Sequence, residues 1–318
     1  MGRDYPKTQV EFEQRFATEE ACRGYIAQLR WPDRFVCPRC QAKSARSATR
    51  QRLICRACRY QASVTAGTIF EGTRKPLRLW FRAMWYVTTQ QHGASALGLQ
   101  RVLGLGQYRT AWTWLHKLRR AMVRPGRERL VGTVEADEIY VGGKEVGARG
   151  RSLGKQAVVA VAVEENGAGM GRIRLKRVPN AAAASLEDFL LEAVEPGSTI
   201  RTDGWRSYSR LQELGYRHDK AVMGGDRELV ERVFPRVHRV AALLKRWLLG
   251  THQGAVEHQH LDYYLDEFTF RFNRRTSRSH GLLFYRLLQQ AVATAPVPRK
   301  AMLGGLPVQQ TAGKSVVQ

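Results

Sequence analysis

The chain has 318 residues, with 52 Lys and Arg against 28 Asp and Glu, a formal net charge of +24. That length predicts two or three domains, and that charge predicts a polyanionic partner, nucleic acid ahead of an anionic membrane surface. No window approaches about 18 uncharged apolar residues and the first residues carry no signal-peptide core, so a spanning or exported protein is set aside in favour of a cytoplasmic one.

In chain order, residues 10–30 read as one helix with Phe12, Phe16, Tyr25, Ile26 and Leu29 on its inner side, and Cys22 as a free, half-buried thiol. "CPRC" and "CRAC" follow, separated by 14 residues. Two such pairs bring four thiolates, Cys37, Cys40, Cys55 and Cys58, to one tetrahedral metal, each pair forming a tight knuckle. A full thiolate set leaves no open position, so the expected ion is structural Zn²⁺. Arg39, Lys43, Arg46, Arg50, Arg52, Arg56 and Arg59 surround the ribbon and suit phosphate contact.

A helix opened by Pro76 is expected to about residue 92, then a short helix from Ser95, a turn at Gly104–Gly106 and a helix to about Met122. This pair has the outline of a helix-turn-helix, with Arg109, Lys117, Arg119 and Arg120 expected on the exposed side of the second helix and Trp112 and Trp114 expected in the core. "VRPGRERL" breaks the pattern and marks a domain boundary.

Beyond it the period changes from helical to strand-like. Strands are expected at 131–141, 156–163 and 171–178, a helix over "AAAASLEDFLLEAV", a strand over "STIRT", a helix at 205–214 and a strand over "YRHDKAV". Pro235 opens a helix that Gly250 is expected to stop, and helices follow at 256–272 and 280–293. The fold class is a multi-domain α+β or α/β chain: an N-terminal helix (1–32), zinc ribbon (33–72), helical DNA-binding segment (73–125), mixed-sheet domain (126–293) and loose tail (294–318).

The first strand, "VGTVEADEIYVGG", is apolar except for Glu135, Asp137 and Glu138. Buried carboxylates need a compensating charge. Alternation puts Glu135 and Asp137 on one face and Glu138 on the other. Asp203 follows the "STIRT" strand directly, and if the two strands are neighbours the two aspartates meet at one level. Oxygen ligands so placed suit Mg²⁺ or Mn²⁺, and such sites activate water or a 3′-hydroxyl for attack on phosphodiesters.

"VEADEIYVGGK", "IRTDGWRSY", "VHRVAALLKRWLLGTHQG" and "LDYYLDEFTFRFNRR", with "CPRC…CRAC" and "GTIFEGTRKPLRLWF" before them, resemble the bacterial insertion-sequence transposases of the ISXO type, which join a zinc ribbon to an RNase H-like DDE-type domain. The likeness spans about residues 15–290. It implies an enzyme that binds its element's terminal inverted repeats, cuts at each end and joins the 3′-ends to target DNA, working as at least a dimer and associated with the nucleoid.

The resemblance places the first two acids on Asp137 and Asp203 and the third metal-site residue, usually Glu, on His238, with Lys245 and the adjoining Arg246 as DNA contacts. Imidazole in place of carboxylate weakens Mg²⁺ relative to softer Mn²⁺. Glu231 and Glu267 stand as reserve acids, and His258 and His260 read as solvated histidines. Two other classes remain open: a non-catalytic zinc-ribbon DNA-binding protein derived from a decayed transposase, and a metal-dependent nuclease.

Overall fold

The computed structural model describes residues 4–47, 52–124, 126–142, 156–220, 234–254 and 256–304. Arg50, Glu231 and the tail from residue 305 lie outside that set. The chain divides into two compact units, residues 1–124 with 276–302, and residues 125–275 with 303–318.

In the first unit the expected single helix at 10–30 is two, α1 (Gln9–Arg15) and α2 (Glu19–Arg30). Thr18 is extended, and its hydroxyl accepts from the Ala21 N–H, starting a new helix as Thr8 does for α1. The first unit then forms a three-stranded antiparallel ribbon, β1 (Ala45–Ser47), β2 (Leu53–Cys55) and β3 (Gln61–Ala62). Three helices follow, α3 (Leu77–Thr89), α4 (Ala96–Leu103) and α5 (Tyr108–Ala121). Pro76 and Ser95 stand at the N-caps of α3 and α4, and Gly104, with φ +61°, ends α4 in the left-handed region that glycine tolerates.

The core of this unit is aromatic. Phe12, Phe16, Tyr25, Phe81 and Trp85 are buried and in ring contact, and Trp80 stacks on Trp114 at 3.9 Å. The last partner comes from far along the chain. Phe284, on α9 (His280–Ala293), is fully buried among Phe12, Phe16, Phe81 and Trp85. Thus α9, grouped by sequence with the sheet domain, packs against α2, α3 and α5 instead. Gly281 lies so close to the Pro6 carbonyl oxygen that an added Cβ would stand 1.6 Å from it. Cys22 is fully buried, not half-buried, and burial pushes its thiol up to about 12. A short helix α10 (Arg299–Leu303) follows, with Met302 buried, where a structureless tail was expected.

The second unit is built on β4 (Thr133–Val141), β5 (Ala157–Asn166), β6 (Gly169–Val178), β7 (Thr199–Thr202) and β8 (Arg217–Lys220). Their order is β6-β5-β4-β7-β8; β5 runs antiparallel to both its neighbours, while β4, β7 and β8 are parallel. This is the RNase H-like mixed sheet. The crossover from β6 to β7 carries α6 (Ala183–Ala193), whose Leu186, Phe189 and Leu190 pack on Val134, Ala136, Val158 and Ile200.

The opposite face receives α7 (Pro235–His252) over β4 and β5, and α8 (Leu261–Phe272) over β6. Two expectations are corrected. Residues 205–214 form a 3-10 turn at Arg206–Tyr208 and further turns, not a helix. Gly250 does not stop α7; the helix ends at His252, and Gln253 takes the left-handed position.

Candidate active site and zinc site

The zinc site is assembled by two equivalent loops. In each, the residue after the second cysteine, Gln41 or Arg59, has φ near +60° (60° and 58°). Its N–H donates to the carbonyl of the first cysteine, Cys37 or Cys55. The N–H of each first cysteine in turn donates to a carbonyl five residues on, Ala42 or Tyr60, at 2.9 and 3.0 Å. These closed turns aim four sulfurs inward. Cys37–Cys58 and Cys40–Cys55 Sγ atoms are 3.6 Å apart, and all four lie within 4.8 Å of one another. Zn–S bonds of about 2.3 Å in a tetrahedron require sulfurs about 3.8 Å apart, so the cage fits zinc. Burial opposes the Cys37 thiolate, yet backbone N–H groups of Cys40 and Arg39 bring its thiol down to about 7. Around the cage Arg39, Lys43, Arg46, Arg52, Arg56 and Arg59 are exposed.

The helix pair α4–α5 forms as expected, but its basic residues divide. Arg109 is exposed and Arg120 half-buried. Arg119 is buried, and Lys117 donates to the Ile69 carbonyl and lies 5.9 Å from the Trp80 ring. The expectation that all four face solvent is corrected: α5 buries Ala111, Trp114, Leu115, His116, Leu118, Arg119 and Ala121, which span most of its circumference.

In the second unit, Glu135 pairs with Arg201 across β4 and β7 as the last pair of that parallel ladder; Asp137 lies two residues further along β4, and Asp203 directly follows β7, which ends at Thr202. Both aspartates are half-buried. The Asp203 side chain accepts from the Trp205 N–H at 2.9 Å, which fixes the turn leaving β7, and Asp137 accepts from the Glu138 N–H at 2.8 Å. Glu135 shows which face this is. Its carboxylate accepts from the Arg236 and Val237 N–H groups, both at 2.9 Å, so the Glu135–Asp137 face is the one covered by α7. His238 is the next residue on α7 and is half-buried. Lys245 projects from the same side of the helix two turns on and is exposed, as is Arg246.

Glu138 lies on the α6 face, where its carboxylate accepts from the Tyr208 hydroxyl at 3.1 Å. Burial first, and then the Glu138, Asp137 and Asp203 carboxylates, hold the Tyr208 phenol well above its ordinary value. Three acids therefore act on one phenol at this end of the sheet. Two aspartates and an imidazole supply the donors that Mg²⁺ or Mn²⁺ accepts. Among the described residues, however, only the four thiols form a group already at mutual ligand distance.

Glu267 is fully buried and paired with Arg271 one helical turn away, which makes it structural. His260 is buried, not solvated, and burial lowers its pKa; His258 is half-buried in the turn before α8.

Residues 129–273 match the ISXO2-like transposase domain family, and residues 17–61 match the transposase zinc-ribbon domain family. The chain thus carries an ISXO2-like transposase domain behind a transposase zinc ribbon. A protein of Halobacterium salinarum described as an uncharacterized protein in transposable element ISH50 is 29% identical over 278 residues, covering 80% of this chain and 91% of that protein. A chain from the cryoEM structure of the simian T-cell lymphotropic virus intasome in complex with PP2A regulatory subunit B56 gamma aligns over 74% of this chain and 80% of its own, at 13% identity and TM-score 0.31, too loose a superposition to carry an argument.

What sequence reasoning missed in this chain is the division of labour among the β4 acids. Glu135 caps α7, and Glu138 binds Tyr208. One signal was present: Phe234, at the N-cap of α7, has no side chain able to accept a hydrogen bond, so the cap had to come from elsewhere.

Proposed function

We propose that the chain binds the terminal inverted repeats of an insertion sequence, cuts the DNA at each end and joins the freed 3′-ends to target DNA. Asp137, Asp203 and His238 would hold the divalent metal, Mg²⁺ or Mn²⁺, with Lys245 and Arg246 on the DNA backbone. What supports this reading is that β4, which carries Asp137, pairs in parallel with β7, which Asp203 follows, while Glu135, two residues from Asp137, meets the first turn of the helix that carries His238.

The bound cation supplies Lewis-acid polarisation of the scissile phosphate and of its nucleophile. The chain's own groups do the rest. The aspartates bring negative charge to a sheet end in a strongly basic protein. Lys245 and Arg246, exposed on α7, attract the phosphates. In cutting, water oxygen bonds to phosphorus and the 3′-oxygen leaves as a hydroxyl. In joining, that hydroxyl's oxygen attacks a target phosphodiester and displaces the target's own 3′-oxygen. One phosphodiester forms as one breaks, so no nucleotide cofactor is needed.

The first unit, with its Zn²⁺ ribbon and exposed Arg109, would recognise the terminal repeat, and pairing of two ends calls for at least a dimer. No described helix is long and apolar enough to cross a membrane, and the reaction proposed belongs beside the nucleoid in the cytoplasm.

The test is metal-dependent joining of a labelled 3′-hydroxyl repeat end to plasmid. Joined product supports the reading. Cutting without joining favours a nuclease, and binding without either favours a decayed, binding-only protein.

A further inference from the structure

Glu135 is fully buried on the strand that carries Asp137, two residues away on the same face. Its Oε2 accepts from the backbone N–H groups of both Arg236 and Val237 at 2.9 Å, and its Oε1 pairs with the Arg236 guanidinium at 2.8 Å. The first turn of a helix has unsatisfied N–H groups and a partial positive charge, so a buried carboxylate is well matched there.

Arg236 is anchored beyond Glu135. It reaches Glu165 at 2.9 Å and the Gly167 and Gly169 carbonyls of the β5–β6 turn, each at 2.9 Å, while Arg201 joins Glu165 to Asp219. The start of α7 is thereby tied to β4 through Glu135 and to the β5–β6 turn through Arg236. His238 follows directly on the same turn.

We propose that Glu135 is a positioning residue for the transposition reaction: its grip on the first turn of α7 sets the His238 imidazole over the strand that presents Asp137. This rests on the assignment of His238 to the metal site. The pairing explains why an acid with no place in that site lies buried within a chain of +24 charge.

The experiment compares the full chain with Glu135→Gln, His238→Ala and the double variant. Glu135→Gln keeps an acceptor oxygen and leaves Arg236 its Glu165 partner. The readouts are Mn²⁺ affinity by calorimetry, kcat and KM for a labelled repeat end, and thermal melting. Supporting groups of this kind typically contribute about 10–100-fold to metal affinity or activity. Glu135→Gln should therefore weaken Mn²⁺ binding and lower kcat roughly tenfold at unchanged KM, with the melt near that of the parent.

The double variant should be no worse than His238→Ala alone, because the two act through one group. Multiplying losses would overturn the proposal and leave Glu135 a structural residue. If Glu135→Gln does not fold, Arg236→Lys, which keeps a cation and both N–H donors, takes its place in the same cycle with the same two outcomes. Failure of the site assignment shows separately: His238→Ala would then bind Mn²⁺ and cut like the parent, and the proposal would fall with it.

Discussion

Replacing Phe284 with alanine should destabilise the first unit by about 5 kcal/mol and leave the second intact. Phe284 is fully buried, with ring centroids 5.4 Å from Phe12 and 5.7 Å from each of Phe16, Phe81 and Trp85. Core Phe→Ala changes cost about 3–5 kcal/mol, set by the cavity left behind. Each aromatic pair adds about 0.5–1.5 kcal/mol beyond area. Four such pairs place this site at the top of the range. With a urea slope of about 2 kcal/mol per molar, the midpoint should fall by about 2.5 M.

The assay is a urea titration followed by tryptophan fluorescence, with hydrogen exchange resolved by segment. Amides of α1–α3 should lose protection while those of β4–β6 keep theirs. Lost protection in β4–β6 with α1–α3 unchanged would return α9 to the sheet domain and refute the reasoning.

Four further outcomes are expected. Purified protein should hold about one zinc per chain, and Cys37→Ser should abolish that zinc while hydrogen exchange in β4–β7 is unchanged; metal-free protein with an ordered ribbon would contradict the cage. Asp137→Asn and Asp203→Asn should each stop cleavage of a labelled repeat end without weakening DNA binding, and His238→Glu should shift the preferred ion from Mn²⁺ toward Mg²⁺. Gly281→Ala should lower the melting temperature by several degrees, since the backbone of Pro6 cannot swing aside as a side chain would. Burial raises the Glu164 pKa, but the Arg172 side chain and the Val131 and Arg172 N–H groups outweigh it, leaving the carboxyl below its usual range. Its stabilisation is then present above the unfolded value of about 4.3 and lost as pH falls through the depressed one; Arg172→Gln should flatten that part of an acid-melting profile.

Short-range chemistry was readable from sequence. The CxxC spacing stated the thiolate cage, period-2 alternation separated Glu138 from Asp137, and Ser95, Gly104 and Pro235 marked helix ends through local caps and turns. Contacts made at long range were not readable. Glu135 meets Arg236 about a hundred residues on, and Phe284 meets Phe12 from the far end of the chain; neither partner's neighbours announce the meeting. Lys117 and Arg119 misled because charge marks an exposed face only when a helix has one, and α5 is enclosed on most sides.

The aromatic cluster also sets an order of events during synthesis. The sheet unit is continuous over 125–275, whereas the first 124 residues need Phe284 to close their core. At about 5–20 residues per second, a ribosome takes on the order of ten seconds or more to travel from one to the other. Over that interval β4 can pair with β7 while the core of the first unit is still unfinished. A chain released early, short of α9, would leave the ribosome with its sheet complete and the core of its zinc-ribbon unit open. Closure of the aromatic core thus waits for α9, long after the sheet unit has been made.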